Sequence, residues 1–412
     1  MQQNHTYPKT TKSGVHFHLT MVAALLAMLG PFTIDTYLPS FPDIASEFAV
    51  SRSLLSQSLG IYLAAFAISM LFWGPLADRV GRRLVILISL LVYILASMAC
   101  ALASVIDSFL IFRCIQGLAA SGGFIAGRAM IRDAHDGRTA QQAMSQVMMM
   151  FALAPAVAPL LGGWLHVQFG WHSVFWFLAA FALLLLCLVM FMRETLLMPH
   201  RQSLHPLAVW QAYQRTVRHG LFLTLVLSMS LSFAGLFLYI AGAPVVIYAF
   251  LGLGPTDFGW LFIPMVAGMM LGSALVSRKS HHWTSRYMIS LGFALMLLAC
   301  LLNLLQAAIG APTVFLVIAP MVVYSFGLSL TMPGLTILAM DCFPSHRGTA
   351  ASMQGFLQMA LNAVVASIAV PMLQAERLYF VLGQGFFLVA ALILWLLIMQ
   401  RSRTIMEVAN DS

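Results

Sequence analysis

Charge is scarce in this 412-residue chain, so the charged residues inside apolar stretches are the first candidates for chemistry. Asp35 interrupts the apolar run from Leu19 to Pro39 and is the one acid expected deep in a membrane. A carboxylate at bilayer depth costs roughly 2.5–3.5 kcal/mol on insertion scales, and such groups line polar cavities and move ions or protons. Asp35 is therefore the expected proton-coupling residue. Arg113 is the second intramembrane charge, and it shares a helical face with Gln116, Gly117 and Ala120. That polar stripe faces something wet or charged, unless Arg113 snorkels to the nearby surface. Gln354, Gln358 and Asn362 recur at helical spacing, either lining a cavity or bonding a neighbouring helix. Met150, in the run Met148-Met149-Met150, suits a promiscuous apolar cavity. The twelve histidines fall in loops or near helix ends, so no relay through a mid-membrane histidine is expected.

Such residues need elements that hold them in lipid. The chain is 61% hydrophobic and 8% charged, against roughly a quarter charged residues in soluble domains. Its apolar runs are continuous and about twenty residues long, the length of a spanning helix. A barrel would alternate in segments of about ten. The expected class is an all-α polytopic membrane protein with spans near 19–39, 53–73, 84–104, 109–130, 141–165, 172–192, 221–249, 258–277, 287–308, 313–339, 348–373 and 378–399.

The formal charge of +8 is a topology signal. With the N-terminus inside, eighteen of the twenty-one Lys and Arg residues fall on the cytoplasmic side, the positive-inside pattern. Both termini are thus expected in the cytoplasm. No basic tract is fit to grip phosphates, so nucleic acid is excluded as a partner. Of the five cysteines, Cys100, Cys114, Cys187 and Cys300 lie in spans and Cys342 in a cytoplasmic loop; none has metal-site spacing. The segment from Lys9 onward resembles a signal peptide, but its run is too long and ends in Tyr37-Leu38-Pro39, so it is expected to stay as the first helix. No HExxH, GxSxG or phosphate-binding glycine loop is present. Neither a metal nor a cofactor is expected.

A polar segment from Arg193 to Gly220 divides the spans six and six. The segments His135–Ala143 and Ser345–Met353 align at Thr139-Ala140 and Thr349-Ala350, each opening the fifth span of its half. Two related bundles around a midplane cavity follow, 1–192 and 221–412, joined by a cytoplasmic linker 193–220. This is the plan of many secondary transporters.

Gly74-Pro-Leu-Ala-Asp78-Arg79-Val-Gly81-Arg82-Arg83 joins spans 2 and 3. Gly74 is expected to permit close helix approach and Gly81 a tight turn. Asp78 suits the N-terminus of a neighbouring helix, the one beginning near Arg347. The three arginines hold the loop inside. Pro155 and Pro159 remove two backbone donors and should bend the fifth span, and Gly162-Gly163 allow close packing, for gating or for packing alone.

On these residues the chain resembles the major facilitator superfamily, whose loop motif reads GxLaDrxGrk. Arg113-Cys-Ile-Gln116-Gly117 is similar to that family's fourth-helix motif, and Ala154-Pro-Ala-Val-Ala-Pro159-Leu-Leu-Gly162-Gly163 to its fifth-helix antiporter motif, with alanine at 158 where many members have glycine. Ile34-Asp35-Thr-Tyr37-Leu38-Pro39, Arg132-Asp133, Phe343-Pro344 and Gly348-Thr-Ala narrow the resemblance to drug/proton antiporters of the Bcr/CflA type. The resemblance implies export of small amphipathic molecules across a bacterial inner membrane, coupled to protons, by a monomer. It implies that Arg113 tunes Asp35 or contacts substrate, and that the 74–83 motif takes part in gating. Two alternatives stay open: an exporter of a specific metabolite or sugar, and a membrane enzyme or receptor, for which the chain offers no catalytic cluster or sizeable extramembrane domain.

Overall fold

The computed structural model describes residues 12–135, 137–196, 206–280, 282–309, 313–343 and 347–410. Among them, twelve helices are long and apolar enough to cross a membrane, and no strand occurs. The chain is a multi-pass membrane protein. Its first half contains α1 (Lys12–Asp35), α2 (Phe41–Glu47), α3 (Arg52–Val80), α4 (Arg82–Ala101), α5 (Ile106–Ala134), α6 (Gly137–Phe169) and α7 (His172–Met190). A helix α8 (Pro206–Arg218) lies in the linker. The second half contains α9 (Gly220–Ala241), α10 (Gly259–Lys279), α11 (Ser285–Ile309), α12 (Val314–Asp341), α13 (Arg347–Val364), α14 (Val370–Leu373) and α15 (Arg377–Asn410).

The two halves pack alike. In the first, α3 and α4 lie on α5, α4 also on α7, and α1 on α5 and α6. In the second, α10 and α11 lie on α12, α11 also on α15, and α9 on α12 and α13. Each half is thus a six-helix bundle. The bundles meet where α3 packs on α13 and α6 on α10. One end carries Gly81 and α8, here the linker end; the far end carries α2 and the turns near Gly170 and Gly252.

Local chemistry sets the breaks. α1 stops at Asp35, and Pro39 then enters a 3-10 turn, Leu38–Ser40; the residue before a proline is disfavoured in helix. Thr33 and Thr36 turn their hydroxyls back to the carbonyl groups of Leu29 and Phe32, four residues earlier, a habit that loosens a helix end. Ser51 caps α3 by accepting the Leu54 N–H at 3.2 Å.

Two expectations change, and the linker gains an element. The 74–83 motif is not a loop: α3 runs through Gly74-Pro75 to Val80, and Gly81 alone separates it from α4. Gly74 is not a close-approach position, because a Cβ there would meet only Ile125 at an ordinary 3.9 Å. The linker is partly an ordered amphipathic helix, α8. The repeat segments around Thr139 and Thr349 include Asp136 and residues 344–346, which lie outside the described residues.

Candidate functional site

Asp35 and Arg113 are both buried, 2% and 0% exposed. Arg113 therefore does not snorkel. Its guanidinium lies 4.5 Å from the ring centres of both Tyr37 and Tyr62, with Phe175 at 5.9 Å. Aromatic faces attract a desolvated cation by about 0.5–2 kcal/mol each. Nη1 donates to Gln116 Oε1, and Gln116 Nε2 donates to Ser97 Oγ at 2.8 Å. Nε and Nη2 are buried without a hydrogen-bond partner, as is Asp35 Oδ1. The two charges are thus held in one bundle without being joined to each other.

A second layer ties the same helices together. The Thr33 and Tyr93 hydroxyls share a hydrogen bond, Ser97 donates to the Tyr93 carbonyl at 2.8 Å, and Tyr37 OH lies 3.3 Å from Ser58 Oγ. Tyr62, Tyr93, Ser58 and Ser97 escaped the sequence reading. The spacing of Ser58 to Tyr62 and Tyr93 to Ser97 by four residues was the available signal, since each pair shares a helical face.

At the linker end, Arg82 is 6% exposed and is held by two acids, Asp78 of the motif and Asp133 of α5, the latter at 3.1 Å. Asp78 is spoken for by Arg82; the side chain of Arg347 lies outside the described residues. Gly81 has φ 114°, a backbone state that favours glycine. Glu194 then caps α4: its carboxylate accepts the N–H groups of Arg82 and Arg83, both at 3.0 Å. Arg83 returns the service by donating to the Val189 and Met190 carbonyl groups at 3.3 and 2.6 Å, the end of α7. Arg79 remains exposed.

Tyr213 of α8 reaches under both bundles. Its hydroxyl donates to the Leu71 carbonyl at 3.3 Å and interacts with Ser352 of α13. Burial raises its pKa above the usual tyrosine value, with a further push from Asp78.

In α6, Pro155 and Pro159 sit within one continuous helix, and the glycine pair divides its work. A Cβ on Gly162 would strike the backbone carbonyl of Thr36, beside Asp35. One on Gly163 would strike the Pro255 carbonyl of the other bundle. Three side-chain hydrogen bonds also join the bundles near this far end: Gln57 to the Ser367 carbonyl at 2.8 Å, Gln374 to Ser53 Oγ at 2.7 Å, and Tyr248 to the Pro39 carbonyl. The cavity left between them there is only about 20 Å³. This end is closed.

Within the first bundle, rings from α3, α5 and α6 form a row: Phe66 to Phe124 at 6.1 Å and Phe124 to Phe151 at 5.9 Å. Arg128 lies inside α5, not at its end, with its guanidinium 4.1 Å from the Phe124 ring and Nη2 3.2 Å from Met148 Sδ. Met150 and Gln358 are part-exposed. Gln354 bonds neighbouring helices through Thr336 and Met229, whereas Asn362 is 1% exposed with an unpartnered Oδ1. The second bundle has a neutral polar centre that sequence reading missed: Asn303 donates to Gln384 at 2.9 Å and to Tyr239 at 3.2 Å. Among the described residues no group of three or more His, Cys, Asp or Glu side chains could hold a metal.

Comparison with known proteins completes the picture. Residues 23–367 match the family model described as Major Facilitator Superfamily. "Uncharacterized MFS-type transporter YdgK" of Bacillus subtilis is 30% identical over 353 residues, covering 85% of this chain and 88% of that protein. "Bicyclomycin resistance protein homolog" of Haemophilus influenzae is 28% identical over 363 residues, covering 88% and 90%. In fold, the chain is similar to a bacterial homologue of the human lysosomal transporter Spinster, inward-facing and occupied, with TM-score 0.72 at 17% identity over 96% and 98% of the two chains.

Proposed function

The chain belongs to the Major Facilitator Superfamily, and we propose that it is a secondary transporter of the bacterial inner membrane that exports drug-like amphipathic molecules in exchange for protons. The single observation that carries this reading is Asp35: a buried carboxylate with an unpartnered oxygen, at the broken end of α1. The cationic or dipolar group of a substrate competes with a proton for such a carboxylate. Asp35 releases its proton when substrate enters from inside and regains one from outside.

Arg113 acts by position. It orders Tyr37 and Tyr62, the rings that flank the end of α1, and Gln116 fixes one arm of the guanidinium. The second bundle contributes neutral wall: Asp257, Asp341 and Glu376 sit at helix ends. The row of Phe66, Phe124 and Phe151, with Met148 and Met150 nearby, suits varied apolar substrates. The 74–83 motif keeps the linker end of the first bundle rigid while the bundles rock. Residues 1–192 and 221–412 are the moving units, 193–220 connects them, and both termini are cytoplasmic. The working unit is a monomer.

Proton flux in proteoliposomes tests this. Adding a cationic or neutral drug from a panel should move protons against substrate, and a pH gradient should drive uphill accumulation. No proton movement with any compound would overturn the reading. A response to one metabolite or sugar alone would replace drug export by specific export.

A further inference from the structure

α6 connects Asp35 to the far end of the molecule. Gly162 bears on the carbonyl of Thr36, the residue after Asp35. One turn along the same face lies His166, only 9% exposed, and its Nε2 is 3.1 Å from Asp43 Oδ2. Asp43 is open to the surroundings, with 66% of its side chain exposed. The other ring nitrogen, Nδ1, is buried without a hydrogen-bond partner. The same is true of Asp35 Oδ1 and of Ser40 Oγ, which lies in the turn that packs on α6. The stretch from Asp35 to Asp43 and the part of α6 packed on it thus hold an exposed acid, a buried imidazole with one free nitrogen, a buried free hydroxyl and a buried free carboxylate oxygen.

We propose that the Asp43–His166 pair is the outer proton donor of the transporter, delivering protons from the far side to Asp35. The proposal rests on Asp35 being the proton carrier. A proton taken up at Asp43 passes to His166 Nε2, giving an imidazolium. The imidazolium releases its Nδ1 proton inward, through the Ser40 hydroxyl and hydrogen-bonded water, to the Asp35 carboxylate. His166 is left neutral as the Nε2–H tautomer, one proton has moved inward, and a ring flip or tautomer exchange returns it to the Nδ1–H form before the next transfer. Imidazole suits this step because it exchanges protons near neutral pH through two distinct nitrogens.

Other charged and titratable groups lie at the same end of the molecule. Asp43 and Glu47 come from α2, and Glu47 is engaged by Trp171 Nε1 at 2.6 Å and His172 Nε2 at 3.4 Å. Asp257, in the short helix before α10, and Asp43 both act electrostatically on Tyr248. Arg52 is the opposing cation, in the small cavity shared with Phe41 and Tyr248.

The test uses the full-length protein in oriented proteoliposomes, with pH on the linker side held and pH on the far side varied. His166→Gln and Asp43→Asn should each transport within about twofold of wild type at a far-side pH of about 6, yet run about tenfold slower at about pH 8, where proton delivery limits turnover. Asp43 is exposed, so its variant keeps the test decisive if His166→Gln folds poorly. An equal loss at every pH for His166→Gln, or a wild-type profile for Asp43→Asn, would overturn the relay and leave the pair as a strap for α2. Asp35→Asn, measured alongside, separates the two ideas. If it retains uphill proton-driven transport, the carrier assignment fails; if it loses transport while the two outer variants keep the wild-type profile, the relay alone fails.

Discussion

Asp35 and Arg113 are both buried in the first bundle, and among the described residues no ion pair joins them. A buried pair would make removal of one partner far worse than removal of both. Separate settings lead to the opposite expectation. In a double-mutant cycle with Asp35→Asn and Arg113→Gln, the stability coupling should stay below about 0.5 kcal/mol, the level of independent sites. Thermal unfolding in detergent measures it, and a coupling of several kcal/mol would show that the two charges do meet.

Arg113→Lys should not be a conservative change. An ammonium cannot cover the Tyr37 and Tyr62 faces and hold Gln116 at once. The expected cost is about 1–3 kcal/mol of stability, with transport at least about tenfold lower. Tyr62→Phe keeps the ring face and should be close to wild type in the same assays.

Asp35→Asn removes ionisation while nearly preserving size and hydrogen-bonding capacity. The variant should insert, fold and bind neutral substrates, yet lose efflux driven by a pH gradient. Asp35→Glu should keep partial activity with a displaced pH optimum. Uphill transport by Asp35→Asn at the wild-type rate would place the coupling site elsewhere.

Glu194→Ala should cost about 2 kcal/mol, because it strips the acceptor from the first two N–H groups of α4. Glu194→Gln keeps an acceptor oxygen and should cost about half as much. Equal melting temperatures for all three proteins would mean that water replaces the cap at no cost.

Gly163→Ala should hold the far end apart, since its Cβ strikes the Pro255 backbone of the other bundle. Thiol labelling of Thr256→Cys from the far side, in a background without other cysteines, should rise several-fold. Gly162→Ala strikes Thr36 within its own bundle and should lower folded yield instead. The reverse assignment of the two effects would show that the contacts are misread.

Much of this organisation was legible in the residues. Long apolar runs, the six-and-six division and the burial of Asp35 follow from the cost of polar groups in lipid, which is a local property, whereas Arg113 could also be read as snorkelling until its helix was packed. What surrounds those charges was not legible. Tyr37 stood out only as part of the Ile34–Pro39 motif, and Tyr62 and Tyr93 acquire a role only when α1, α3, α4 and α5 are brought together. Glu194 read as one charge in a polar linker, because its role depends on α7 ending beside the start of α4. Gly74 misled in the other direction: a motif position suggested a tight approach that the packing does not make.

Adjacent residues of α6 serve different masters. Gly163 takes the weight of the second bundle through Pro255, and Gly162, one peptide away on the same rigid turn, bears on Thr36. That turn is the fulcrum of a short lever. On the proposed cycle, a swing of the second bundle onto or off Gly163 would load the residue that follows the carboxylate, so that shutting the door and aiming the acid would be a single stroke.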